Sequence, residues 1–368
     1  MRVLTAWFVV MAASLSIVAS LKAAESGAPS YEQTVDRAIQ FLRQKGQAED
    51  GSFSKQAGPG VTALVTTAVL RHGRTTRDPL VAKALEYLES FVQPSGGIHA
   101  PNSRLPNYET CLAVVCFKEA NADGRYDQLL KDADAFIKGI QKDNDEGKDE
   151  SDVNYGGAGY GKGGRPDLSN THFLIEALRA TGNDADDEAV QKALVFVSRC
   201  QNLESEHNTT EFAAKVDDGG FYYSPSGEGL DPAGKTADGG LRSYASMTYA
   251  GLKSMLFAGV GPDDPRVKAA YDWVKTHYDL DSNPGLGQAG LYYYYHLFAK
   301  ALDALGRDTI TDADGKDHDW RQELTAALAE RQNSDGSWTN RETRWLEGDS
   351  NLCTGFALLA LSYCRPAK

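Results

Sequence analysis

The chain repeats one phrase six times, and that repetition constrains its fold more than any other feature. The last copy is the clearest: Gln332-Asn333-Ser334-Asp335-Gly336-Ser337-Trp338, a Gln-x3-Gly-x-Trp sequence. A helical stretch over 320–331 precedes it, and an apolar stretch over 351–364 follows. Each earlier copy has the same order: amphipathic helix, Gly-rich turn with an aromatic or apolar residue, then a more apolar helix. The first runs 31–45, Gln47, Asp50-Gly51-Ser52-Phe53, 61–70. The second runs 79–92, Gln93, Gly96-Gly97-Ile98, 107–120. The third runs 126–140, Gln141, an insert with Gly159-Tyr160, 168–181. The fourth runs 187–200, Gln201, an insert with Asp218-Gly219-Gly220-Phe221, 243–258. The fifth runs 264–277, Tyr278 in the Gln position, Gly285-Leu286, 290–305.

Local signals support these helices. Asp78-Pro79, Asp186-Asp187 and Asp264-Pro265 sit where acidic N-caps and a first-turn proline belong. Gly73, Gly182, Gly259 and Gly306 follow the second helices, where a C-terminal glycine is expected. Runs such as Leu112-Ala113-Val114-Val115-Cys116-Phe117 are apolar around the whole helix, so the second helix of each pair is expected to be buried on all sides. Six half-exposed and six buried helices fit two concentric rings, with the N-terminal ends of the inner helices around a common cavity.

Lys192-Ala193-x2-Phe196-Val197-x3-Gln201 and Gln332-x3-Gly336-x-Trp338 resemble the "QW" repeat of squalene-hopene cyclases. The chain is thereby similar to the terpenoid cyclase and protein prenyltransferase superfamily. The resemblance implies an all-α fold, an α6/α6 toroid of six outer and six inner helices, spanning 24–368 as one domain. It also implies that the repeat Gln caps a neighbouring helix and that the aromatic stacks on it, so these residues serve stability rather than chemistry.

Residues 1–23 read as a signal peptide, with Arg2 at the start, an apolar run to Leu21 and Leu21-Lys22-Ala23 as cleavage site; an uncleaved anchor is the competing reading. Export places the protein in the periplasm or outside the cell. Removing the segment takes away Arg2 and Lys22 and moves the formal charge from −13 to −15. So acidic a chain is a poor partner for nucleic acid, and no further segment is apolar enough to span a membrane. The five cysteines, Cys111, Cys116, Cys200, Cys353 and Cys364, are odd in number and sit on predicted helices. Buried small hydrophobes describe them better than a disulfide framework.

Cyclases of this superfamily that protonate their substrate carry an Asp-x-Asp-Asp acid at the start of an inner helix. Asp184-Ala185-Asp186-Asp187 has the right string but precedes an outer helix, where N-capping accounts for it. At the expected place stands Asp167-Leu168-Ser169-Asn170-Thr171, with Ser169 and Asn170 in place of two carboxylates. No carboxyl pair is left there to tune a proton donor.

Protein prenyltransferases hold zinc with an Asp-x-Cys pair and a His one repeat later. Glu109, Cys111 and His172 are the corresponding residues, and a weaker set is His296, Asp349 and Cys353. Read without a metal, Glu109 faces the rim, Cys111 is core, and His172 is a hydrogen-bonded cavity residue; no cofactor is then expected.

In Leu291-Tyr292-Tyr293-Tyr294-Tyr295-His296, helical spacing groups Tyr292, Tyr295 and His296 with Ala299 on one face. That face is either a cavity wall or a Tyr-rich packing seam. The inserts over 142–167 and 202–242 should lie together at the rim over the cavity mouth. Asp312-Ala313-Asp314-Gly315 reads as a surface turn.

Three functional readings follow. The first is an exported toroid binding an apolar, isoprenoid- or lipid-like ligand, with Tyr108, Glu109, Asp167, His172, Tyr244, Tyr292, Tyr295, His296 and Asp349 as candidate ligand contacts and no assignable catalytic acid. The second is a non-catalytic protein-interaction toroid that binds through its inserts. The third is an exported lyase or glycosidase, which needs carboxylates such as Glu109, Asp167, Asp238 and Asp349 to converge.

Overall fold

The computed structural model describes residues 29–144, 147–227 and 231–366; the expected signal peptide lies outside them. Outer helices α1 (Tyr31–Phe41), α3 (Pro79–Glu89), α5 (Asp127–Lys138), α7 (Glu188–Arg199), α9 (Pro265–Thr276) and α11 (Trp320–Arg331) alternate along the chain with inner ones. The inner helices are α2 (Pro59–Arg71), α4 (Pro106–Glu119), α6 (Leu168–Thr181), α8 (Ala245–Phe257), α10 (Leu291–Ala304) and α12 (Ser350–Leu361).

Local chemistry sets the starts. Asp78, Asp187 and Asp264 each accept from a first-turn N–H of α3, α7 and α9. Asp187 therefore caps an outer helix, as its position in the repeat predicts. Burial separates the two kinds of helix. Every residue of α8 from Ala245 to Met255 is buried, whereas α5 buries only Leu130, Ala133 and Ile137, a single stripe at helical spacing.

Each inner helix packs against the next, and α12 packs against α2, so the inner ring closes; α11 packs against α1 and closes the outer one. The repeat residues make the seams. The Gln332 side-chain nitrogen donates to Thr34 O at 2.9 Å and to Gly336 O at 3.0 Å, tying the sixth repeat to the first. Gln47, Gln141 and Gln201 do the same to Leu80, Ala189 and Arg266 in the first turn of the following outer helix. These acceptors are carbonyls, so the amide fills a second lone pair and does not satisfy the orphan N–H groups expected of a cap. Gln93 departs from the pattern and bonds only within its own turn. Tyr278 keeps it by another route, donating its hydroxyl to Glu323 in α11.

Glycine is needed at Gly336 for two reasons. Its φ is +92°, and a Cβ there would stand 2.3 Å from Arg37 O on α1. Gly51 and Gly156 press on Lys83 and Lys192 in the same way. A second recurring bond was not anticipated from the sequence. The hydroxyls of Thr62, Thr110, Thr171, Thr248 and Thr354, each in the first five residues of an inner helix, accept the N–H of Phe53, Ile98, Ala158, Phe221 and Trp338. Each of these five turns is thereby fastened to its own inner helix, and all but the Gln93 turn also to the next outer one through the repeat glutamine.

The two inserts meet over the N-terminal ends of α4 and α6. Leu168 N donates to Tyr223 O, Ser224 Oγ to Pro166 O, and Asn107 N to Tyr160 O. All five cysteines are buried free thiols. No helix among the described residues is long and apolar enough to cross a membrane.

Candidate functional site

The inner ring surrounds an axis, and two of its helices supply most of the side chains that cross it. On α6 these are Ser169, His172, Phe173 and Glu176, at i, i+3, i+4 and i+7; on α10 they are Tyr293, His296 and Lys300, at i, i+3 and i+7. Helix α8 stands between α6 and α10 in the ring, so contacts between these two sets span the lumen. The Tyr293 hydroxyl lies 2.6 Å from His172 Nε2 and 3.0 Å from Ser169 Oγ. Phe173 meets Tyr108 edge-on at 5.3 Å; Tyr293 packs on Phe356 at 5.6 Å, and His296 stacks on Phe356 at 5.9 Å. Tyr108, Ser169 and Tyr293 keep partial solvent access and mark the mouth.

Beneath this aromatic layer lies a buried ionic cluster. Glu176 on α6 bonds Lys253 of α8 with one carboxylate oxygen and Lys300 of α10 with the other. Lys253 Nζ also lies 2.9 Å from His172 Nδ1. An ammonium can only donate, so Nδ1 accepts, and the ring proton sits on Nε2, facing Tyr293.

The protonation energetics follow from burial and charge. Burial by itself would raise the Glu176 carboxyl, but the two ammonium groups outweigh it and hold it well below the usual carboxylate range. Burial pulls Lys253 down to about 8 and also lowers Lys300. Burial, reinforced by Lys253, lowers His172 to about 3, so it is neutral at pH 7. His296 is likewise pushed far down by burial, and its buried Nδ1 has no hydrogen-bond partner among the described residues. Towards the far end, Arg71 binds Glu119 at 2.7 Å and Tyr363 at 2.8 Å.

The expected contact residues divide. Tyr108, His172 and His296 stand on the axis. Asp167 N-caps α6, accepting from Asn170 N at 2.8 Å, and burial raises it to about 6. Tyr244 is buried at the N-cap position of α8. Glu109 turns to the rim, accepting from Ala100 N at 2.9 Å. Asp349 N-caps α12 and accepts from Ser54 Oγ at 2.8 Å.

Tyr292 and Tyr295 face away from the axis. Tyr295 donates to Leu280 O and has Arg331 of outer helix α11 over its ring, with Tyr292 edge-on to it at 6.0 Å. They form the packing seam. Tyr293, one helical step away, is the α10 tyrosine in the lumen.

Neither proposed zinc set assembles. Glu109 points to the 99–105 loop, Cys111 Sγ donates to Asn107 Oδ1 at 3.3 Å with its thiol raised by burial, and both His172 nitrogens are taken. In the second set Cys353 Sγ donates to Glu347 O and Asp349 serves its helix. Among the described residues no three His, Cys, Asp or Glu side chains are disposed to hold a metal.

The ionic cluster was missed in the sequence, although each member interrupts an apolar helical run: Glu176 in Leu174-Ile175-Glu176-Ala177-Leu178, Lys253 after Gly251-Leu252, and Lys300 in Phe298-Ala299-Lys300-Ala301-Leu302. A charge in the middle of such a run is a signal of a buried partner.

This closed double ring can be set beside known proteins. The family model of the squalene-hopene cyclase C-terminal domain matches residues 9–224, more than half of the 368-residue chain. The chain belongs to this family. No curated protein matches the sequence. Among solved structures, a variant of the type II terpene cyclase MstE from Scytonema, in complex with its substrate geranylgeranyl dihydroxybenzoate, is similar with a TM-score of 0.52 and 15% identity, over 91% of this chain and 96% of that one. A glycosyl hydrolase of family 88 from Bacteroides vulgatus is similar with a TM-score of 0.50 and 12% identity, over 91% and 99%. At such identities the likeness concerns the fold alone: this is a terpene cyclase-like toroid.

Proposed function

We propose that this family member is an exported toroid that binds an isoprenoid- or lipid-like molecule in its lumen without protonating it. The observation that carries the reading is the lumen's composition: the rings of Tyr108 and Tyr293 at the mouth pack on the buried rings of Phe173 and Phe356, with Ser169 at the position where a cyclase of the superfamily would carry its acid. Aromatic walls with a few convergent polar groups suit an apolar ligand.

Two features speak against acid chemistry. Asp167, the carboxyl that opens α6, already accepts from Asn170 N and Asn170 Nδ2. Glu176, on the axis, is ionised between two lysines and has no proton to give.

The carbohydrate-active reading has less support. Glu109, Asp167, Asp238 and Asp349 are engaged on separate elements: by Ala100 N, by Asn170, by the Thr236 hydroxyl and by the first turn of α12.

The test is incubation of the purified mature chain with geranylgeraniol and squalene, followed by gas chromatography–mass spectrometry and by native mass spectrometry of the protein. The reading expects bound, unchanged lipid. A cyclised product would refute the non-catalytic part; absence of any complex would refute lumen binding. N-terminal sequencing of the mature protein checks cleavage of the signal peptide, for which the chain is expected to start near residue 24.

A further inference from the structure

We propose that the lumen ligand carries a single carboxylate head, lodged beside Tyr293 and His296 above the Lys253–Lys300 pair. This rests on the lumen-binding reading and names the class of ligand within it.

The first observation is a charge imbalance on the axis. Glu176 is one carboxylate shared between two ammonium groups, all three buried. The nearest further pair, Arg71 with Glu119, balances one for one. Among the described residues one positive charge along the axis is therefore left without a protein counter-ion, and unmatched buried charge is strongly unfavourable. A ligand with one negative charge restores the balance, whereas a diphosphate would overshoot it.

His296 is the second and independent observation. It is 3% exposed, lies on the axial face of α10 one turn beyond Tyr293, and its Nδ1 has no partner among the described residues. Buried polar nitrogens are nearly always bonded, so an orphan on a lumen face points to a partner that arrives with the ligand. As a neutral imidazole, His296 has one N–H to donate.

Donor direction is the third. Lys253 donates to His172, and His172 donates from Nε2 to the Tyr293 oxygen, which leaves the Tyr293 proton for Ser169 Oγ or for a ligand oxygen at the mouth. Every link of this relay points its donor away from the ammonium groups, which is the arrangement an anion stabilises.

The acidic groups nearby are already engaged. Asp167 faces Asn170 N, and Glu347 accepts from Tyr293 N at 2.8 Å and from Asn340 Nδ2 at 2.7 Å. Among the described residues neither forms an ion pair with Lys253 or Lys300. The rings of Tyr108, Phe173 and Phe356 then line the path of an apolar tail.

The experiment is isothermal titration of the delipidated full chain at pH 7.5 with geranylgeranoic acid, its methyl ester and geranylgeraniol. The acid is expected to bind at least tenfold more tightly than the ester or the alcohol. Lys300→Met, checked for folding by circular dichroism, is expected to lose that advantage. His296→Phe, which keeps a ring against Phe356, should weaken the acid several-fold. Equal affinity for acid and ester, or an undiminished preference in both variants, overturns the carboxylate assignment while leaving lumen binding standing. Failure of all three probes to bind overturns lumen binding itself.

Discussion

Replacing Glu176 with Gln isolates the ionic cluster as a determinant of stability. The substitution keeps the shape and removes the carboxylate that Lys253 and Lys300 share. Breaking a buried pair from one side typically costs about 3–5 kcal/mol, because the partner charge stays behind. Deprotonation sets the upper bound: bringing an ordinary lysine to its neutral form at pH 7 costs roughly 5 kcal/mol. Since a domain has only about 5–15 kcal/mol of net stability, the variant should sit near the edge of folding.

The sign of the pH dependence follows from Lys253, whose folded pKa of about 8 lies below its ordinary value of 10.5. Between those values the unfolded chain binds more protons, so stability rises with pH. Without Glu176 the folded value drops further and the window widens. The deficit of Glu176→Gln should therefore shrink by about 1 kcal/mol or more between pH 7 and pH 9.5. Urea denaturation followed by circular dichroism at the two pH values measures both quantities. The triple replacement Glu176→Leu, Lys253→Met and Lys300→Met should recover to within about 2 kcal/mol of the parent, because it leaves no charge behind. A loss below about 1 kcal/mol for Glu176→Gln at pH 7 would refute the reasoning.

Other outcomes follow from the same geometry. Gly336→Ala should cost more than about 3 kcal/mol, since left-handed strain adds to a collision with Arg37 O, whereas Gly182→Ala, with φ +100° and open space around it, should cost only about 1–2 kcal/mol; equal thermal shifts would remove the clamp from the account. Asp231, raised by burial to about 7 from 3.8 with one oxygen unpartnered, ionises later in the fold than in the unfolded chain and so withdraws stability as pH rises through that interval. Asp231→Asn should gain about 2 kcal/mol on the parent between pH 5 and pH 8, and a gap independent of pH contradicts the buried-carboxyl argument. Tyr293→Phe leaves His172 Nε2 without its partner and should lower stability by about 1–3 kcal/mol in denaturant titrations, with no loss if the relay is unimportant.

The double ring was legible because its determinants repeat. The Gln, the Gly and the apolar second helix recur six times with few departures, and a feature seen six times needs no tertiary context to be read. The clamp acceptors were not legible, since a carbonyl leaves no mark in sequence. The five inner-helix threonines were present to be counted but lie outside the Gln–Gly phrase.

The lumen was harder to read. On α10 the tyrosine run offers four candidates, and the choice among them depends on how the helix is rotated about its own axis. That rotation is set by Arg331 and the 279–280 turn packing on Tyr294 and Tyr295, contacts distant in sequence. His296 and Lys300, at three and seven residues from Tyr293, carried the information, because a buried lysine must face either the lumen or a partner.

The most direct test of the lumen as the ligand site is native mass spectrometry of the protein isolated from its own host, beside Ser169→Trp, which places an indole in the mouth between Tyr293 and the α6 end. The account predicts an apolar small-molecule adduct on the parent and none on the folded variant. An adduct retained by Ser169→Trp, or absent from both, would contradict it.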